Sequence, residues 1–179
     1  MPGDDDTTGR RLRLLAAEFT QHQRRSPDPT GRTATQAEPP APINLGTLDY
    51  MRAAVAEVEQ HTRAADPAAG PYRGSVDRVY EWARERTADL DEERQQAREA
   101  LIYRQGLEHA IAMGDTAVIR KHPCPQCRCF GLYWRDESGK ASCVNHYCVD
   151  DDGVSHSWTL QQLAHHYIAS KSALSVRAT

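Results

Sequence analysis

Four cysteines in the last third of the chain, Cys124, Cys127, Cys143 and Cys148, carry the sharpest chemistry in the sequence. They form two close pairs, Cys124-Pro125-Gln126-Cys127 and Cys143-Val144-Asn145-His146-Tyr147-Cys148, with fifteen residues between. Two turns that each offer a pair of thiolates suit one tetrahedral ion with metal–sulfur bonds of about 2.3 Å, and the pattern points to zinc. Four protein ligands leave no coordination position open for water, so such a zinc is structural. Cys129 competes with Cys127 as a ligand, and His146, inside the second pair, competes with Cys148. Disulfides are the other use of thiols. Five is an odd count, and the start Met1-Pro2-Gly3-Asp4-Asp5-Asp6 lacks the apolar run of a secretion signal, so a cytoplasmic location with reduced thiols is expected.

Between the pairs, Phe130-Gly131-Leu132-Tyr133-Trp134-Arg135 is rich in strand-favouring aromatics. The polar Asp136-Glu137-Ser138-Gly139 follows, then a second short run through Lys140-Ala141-Ser142, which together predict a β-hairpin pinned at its base by the metal. Phe130, Leu132 and Trp134 share one strand face and are expected to fill the small core. Residues 122–149, about a sixth of the chain, resemble the zinc-ribbon family through Cys124-Pro125-Gln126-Cys127 and Cys143 with Cys148. Ribbons usually place Gly after the first pair, where positive φ is needed, and this chain has Arg128 there. Keeping that conformation is expected to cost on the order of 1 kcal/mol.

The 179 residues carry a net charge of -3 and are 39% hydrophobic, enough for one modest domain or two small ones. Mean hydropathy is -0.71, and no apolar run reaches the roughly 18 residues of a membrane span, so no membrane partner is expected. The acidic balance argues against a sequence-blind DNA binder driven by bulk charge. It is uneven, however: residues 1–114 hold 15 basic and 19 acidic side chains, and residues 115–179 hold 7 and 6.

The elements that must position the cysteines read as helices, giving a mainly α chain with a small β-hairpin, an α+β class. Residues 1–25 contain a short amphipathic helix with Leu12, Leu15, Ala16 and Phe19 in step. Residues 26–43, with five prolines from Pro27 to Pro42, form a disordered linker. A helical region spans 44–121. In it, Leu48, Met51, Val55, Val58 and Thr62 step by three and four after a Thr47 cap, and Ser75 caps a helix bearing Val76, Val79, Tyr80 and Ala83. Asp89 with Glu92 resembles a capping box for a helix running to Met113, stopped by Gly114, with Gly106 as its weak point and its charges on a solvated face. Asp115 caps one more short turn. Residues 122–179 hold the hairpin and a closing helix, started by a Thr159–Gln162 capping box, whose apolar stripe from Leu160 to Ile168 folds back on the hairpin.

No Ser/His/Asp order, phosphate loop or paired-carboxylate motif stands out, so no enzymatic role is expected. The acidic run Asp150-Asp151-Asp152 lacks the spacing of a calcium loop and reads as a solvated turn. His122, His146, His156, His165 and His166 read as surface groups. Two functions remain. One is a protein-interaction adaptor or assembly component. The other is a nucleic-acid-binding ribbon, in which Phe130, Tyr133, Trp134 and Tyr147 offer stacking faces beside the candidate contacts Arg128, Arg135 and Lys140. The order of helices ahead of a terminal ribbon is also similar to that of small actinobacterial phage and prophage proteins, a likeness that implies no activity.

Overall fold

The structure is a computed structural model that describes residues 45–177, with Gly9 before them. The helix expected within 1–25 and the Pro-rich linker over 26–43 lie outside the described residues. Those described form an α+β arrangement in which helices precede and follow a three-stranded antiparallel sheet.

Helix α1, Leu45–Ala65, buries Met51, Val58 and Thr62 of the predicted stripe, with Ala54 buried beside them and Val55 half-buried. Thr62 is polar at full burial, and its hydroxyl donates to the Val58 carbonyl at 2.8 Å, which satisfies it inside the turn. The helix starts ahead of Thr47, so that residue is an early helical position and not a cap. A 3₁₀ turn, Val76–Arg78, leads into α2, Val79–Arg86. Ser75 sits at the cap position without a side-chain capping bond, and its carbonyl instead accepts from the Tyr72 hydroxyl at 2.6 Å. Val79, Tyr80 and Ala83 meet Met51, Val58, Leu101 and Ile102 in a first core, with Trp82 and Tyr72 packed at its margin.

Helix α3, Glu92–Ala112, is capped by Asp91 rather than Asp89: the Asp91 carboxylate accepts from the Arg94 N–H at 3.0 Å. The preceding residues are held in a turn by the Gln95 amide, which donates to the carbonyls of Ala88 at 2.8 Å and Leu90 at 2.7 Å, and the cap falls two residues later than Asp89. Gly114, at φ +82, ends it in the left-handed conformation that glycine reaches without strain.

The charges of α3 do not all face solvent. Arg98 is buried, and its guanidinium donates to Thr87 Oγ1 at 2.5 Å and to Glu99 at 2.9 Å. Glu99 also accepts two bonds from Arg84, at 2.9 and 2.8 Å. Arg104 bonds both Glu108 and Glu57, the second across to α1. The Arg104–Glu108 pair is the i,i+4 contact that helical spacing predicts, whereas Arg84–Glu99 and Arg104–Glu57 join different helices, which spacing within one helix does not reveal.

A second 3₁₀ turn, Thr116–Lys121, buries Ile119 and delivers the chain to the sheet. Strands β1, Leu132–Arg135, and β2, Lys140–Cys143, form the expected hairpin in the register Leu132↔Cys143 to Arg135↔Lys140. A third strand, β3, Ser157–Trp158, adds to the far edge of β2; two residues are too short to show an alternating pattern. Helix α4, Leu160–Arg177, begins with the predicted reciprocal cap, Thr159 N–H to Gln162 Oε1 at 2.9 Å and Gln162 N–H to Thr159 Oγ1 at 3.2 Å.

The first turns of α4 do fold back on the hairpin, through Leu160 and Leu163. Its middle packs on α3 instead, with Ala164 and Ile168 against Ala100 and the Tyr167 ring stacked on Tyr103 at 4.5 Å. Helix α3 thus shares one face with the first core and another with α4, which ties the helical region to the cysteine-bearing end. No described helix is long and apolar enough to cross a membrane.

Candidate metal centre

The first cysteine pair sits on a turn between the 3₁₀ segment and β1. The Arg128 N–H donates to the Cys124 carbonyl at 2.8 Å, and the Cys124 N–H to the Cys129 carbonyl at 2.9 Å. These bonds curl the backbone around the Cys124 and Cys127 sulfurs. Closing the curl puts Arg128 at φ 60, the conformation expected of a glycine at this position. The second pair is placed by β2, which ends at Cys143, and by a turn in which the Cys148 N–H donates to the Asn145 carbonyl at 2.8 Å. The Cys143 N–H donates to the His156 carbonyl at 3.0 Å and the His156 N–H to the Cys148 carbonyl at 3.1 Å. Residue 156, just ahead of β3, therefore holds both members of the second pair.

The four sulfurs converge. All four Sγ atoms lie within 4.8 Å of one another, with Cys124 to Cys148 at 3.8 Å and Cys127 to Cys143 at 3.6 Å. A tetrahedron with metal–sulfur bonds of about 2.3 Å has edges of about 3.8 Å, so the cluster can hold a metal ion. All five cysteines are free thiols. Cys124, Cys143 and Cys148 are buried, in one core with Ile119, Leu132, Ala141 and Leu163. Neither alternative ligand belongs to the cluster. Cys129 is exposed, its sulfur 3.8 Å from Asn145 Nδ2, and the exposed His146 ring packs on Tyr147 at 4.1 Å.

Crowding makes the thiols unequal. The Cys129 backbone N–H, above all, pulls Cys127 down to about 6. Burial pushes Cys143 up to about 11 and raises Cys148 further. One thiolate forms readily, and each further one meets both low polarity and its neighbours' charge. A bound metal ion would offset this, since metal binding drives the remaining protons off.

His122 is not a surface histidine. It is buried, with Nδ1 3.2 Å from the Ile119 carbonyl and Nε2 2.8 Å from the Tyr103 hydroxyl, and Tyr167 lies edge-on to its ring. It pins the entrance of the first cysteine turn to α3 and α4. His146 and His165 are exposed, and His156 and His166 are half-buried. The acidic turn is a tight loop without a calcium arrangement, because Asp150 Oδ1 accepts the N–H groups of Asp152 at 3.1 Å and Val154 at 2.8 Å.

The aromatics divide differently from the strand alternation. Leu132 is fully buried and Trp134 packs beside it, but Phe130 is 72% exposed. The cause is Gly131, at φ +141, which breaks the extended backbone between them and turns residue 130 outward. A Cβ built on Gly131 would lie 2.5 Å from Val144 Cγ2. Val144 can rotate away, since it is exposed, but an L-residue has no strain-free route to that φ. Gly131→Ala is expected to lose about 1–3 kcal/mol of stability. Thermal melts would check it, and adding Val144→Ala should restore little; full rescue would mean that contact, not backbone strain, dominates.

Tyr133 is 40% exposed and Tyr147 83% exposed. The candidate contacts Arg128, Arg135 and Lys140 are all exposed. No family model, curated protein or solved structure matches this chain.

Proposed function

We propose that the chain is a non-enzymatic zinc-ribbon protein that serves as an adaptor or assembly component, with the metal in a purely structural role. The observation that carries this reading is the closed set of four sulfurs at tetrahedral spacing, with Cys127 and Cys143 3.6 Å apart and Cys124 and Cys148 3.8 Å apart. An all-thiolate tetrahedral set selects soft ions such as zinc and holds no position for water or substrate. Cys124, Cys127, Cys143 and Cys148 would hold the ion. When bound, it supplies four fixed bonds to a hairpin whose own apolar core is small. What is left for the chain to offer a partner is surface, and the cysteine end exposes Phe130, Val144 and Tyr147.

The adaptor reading is tested by affinity capture from the native host with the full chain and with a chain lacking residues 1–42. The shortened chain should keep one zinc per molecule and lose its protein partner. Capture that survives the deletion would remove the role given to the N-terminal segment. Nucleic acid is the second reading, favoured by the exposure of Phe130 beside unpaired cations.

A further inference from the structure

The arginines of the helical region are almost all neutralised. From Arg52 to Arg104, every one except Arg73 sits in an ion pair with a carboxylate. The cysteine end differs. Arg120, Lys121, Arg128, Arg135 and Lys140 are all exposed, and none forms an ion pair among the described residues. No aspartate or glutamate occurs between residues 116 and 135, or between 138 and 149. The -3 of the whole chain conceals this, because the acidic excess lies in residues 1–114.

Two of these cations flank a pair of exposed aromatic rings. Along the chain run Arg128, Phe130, Tyr133 and Arg135, with Phe130 72% and Tyr133 40% exposed. In the hairpin register Arg135 lies directly opposite Lys140, and Tyr133 opposite Ser142. Directly paired residues point to the same side, so Tyr133, Arg135 and Lys140 share the sheet face away from the buried Leu132 and Ala141. Strand β1 is at the edge of the sheet, with the 3₁₀ segment Thr116–Lys121 packed beside it and the buried Ser142 opposite Tyr133, so the strip is exposed at its side chains and not along a free edge. Its strand part, Leu132–Arg135, spans about 10 Å at roughly 3.3 Å per residue. The negative charge of a metal-loaded thiolate set sits mainly on buried sulfurs, whereas the cations meet solvent first.

We propose that the strip formed by Arg128, Phe130, Tyr133, Arg135 and Lys140 binds single-stranded nucleic acid, with bases stacked on Phe130 and Tyr133 and phosphates at the three cations. Exposed rings flanked by unpaired cations are what a single strand requires: each base has a π-face free to stack, and the backbone follows the positive charge. A duplex keeps its bases stacked internally and would use only the cations. This rests on the ribbon reading above for the shape of the strip, and it names the partner of that same surface.

The test is fluorescence anisotropy with the full, metal-analysed chain. The probes are labelled 20-nucleotide mixed-sequence DNA and RNA single strands and the matching duplex, in salt from 50 to 200 mM. Single strands should bind more tightly than duplex, with a log–log salt slope of roughly -2, as expected for about three phosphate contacts. Phe130→Ala and Tyr133→Ala should each weaken binding by about 5- to 100-fold. Arg135→Ala with Lys140→Ala should weaken it and flatten the salt slope, while Arg73→Ala, the unpaired arginine of the helical region, should change nothing.

Zinc-loaded protein that binds no strand at 50 mM salt overturns the strip and leaves the metal reading standing. Protein free of zinc that binds through the same residues supports the strip and overturns the metal reading. Equal affinity for duplex, or binding indifferent to both aromatic changes, overturns the proposal. So does a strip whose variants lose only a protein partner.

Discussion

Cys124→Ser is expected to leave the purified chain without stoichiometric zinc and with its hairpin unfolded, whereas Cys129→Ser keeps one zinc per molecule. The difference follows from position. Cys124 is fully buried among the four convergent sulfurs, and Cys129 is exposed and outside them. A structural zinc contributes about 10–16 kcal/mol of apparent binding free energy that is also folding free energy. That matches or exceeds the roughly 5–15 kcal/mol by which a whole domain is stable. The loss should spread, since Leu163 of α4 packs in the same core as Cys124, Cys143 and Cys148. Metal analysis with amide hydrogen exchange would read both effects: protection at β2 and the first turns of α4 should vanish in Cys124→Ser and in chelator-treated wild type. A Cys124→Ser protein that holds one zinc with protection intact would refute the four-cysteine centre, as would loss of metal from Cys129→Ser.

Glu99→Ala should destabilise the helical region by about 2–4 kcal/mol. Breaking a buried ion pair from one side typically costs about 3–5 kcal/mol because it strands the other charge. Here the stranded group is Arg98, whose side chain is 9% exposed; Arg84, at 37%, can turn to water, which lowers the figure. Arg98→Met removes the charge along with its partner bond and should cost less.

The same carboxylate makes stability depend on acid. Burial alone would raise the Glu99 pKa, but the bonds and attraction from Arg84 and Arg98 outweigh it and hold it below the ordinary value. A depressed carboxylate adds stability that is fully present above its unfolded pKa, about 4.3, and is lost as pH falls through the lower folded value. Unfolding followed from pH 6 to pH 3 should show this loss in wild type and a shallower fall in Glu99→Gln. Equal acid slopes in the two would remove Glu99 from the account.

The parts of the molecule written in short stretches of chain were legible in advance. Paired cysteines, the hairpin turn at Asp136–Gly139, the Thr159–Gln162 cap, the Gly114 stop and the buried stripe of α1 each depend on residues within a few positions of one another. Departures arise where a choice is settled locally but by a competing neighbour. Asp91 replaces Asp89 as the cap because Gln95 reaches back to hold the preceding turn. Phe130 leaves the core because Gly131 breaks the alternation that would have turned it inward. The glycine was visible, but strand periodicity carries no information about which φ it adopts.

By itself, then, the sequence determined the cysteines, their pairing and the succession of helix, hairpin and helix, since covalent spacing and local hydrogen bonding act over a few residues. Tertiary structure alone decided that His122 is buried between Tyr103 and Tyr167, that Ser157 and Trp158 become a third strand, and that Arg98 is tied to Thr87 and Arg104 to Glu57 while the hairpin's cations stay free. Each of those outcomes depends on groups far apart along the chain being brought within a few ångströms, and burial then selects which charges must find a partner and which can remain in water.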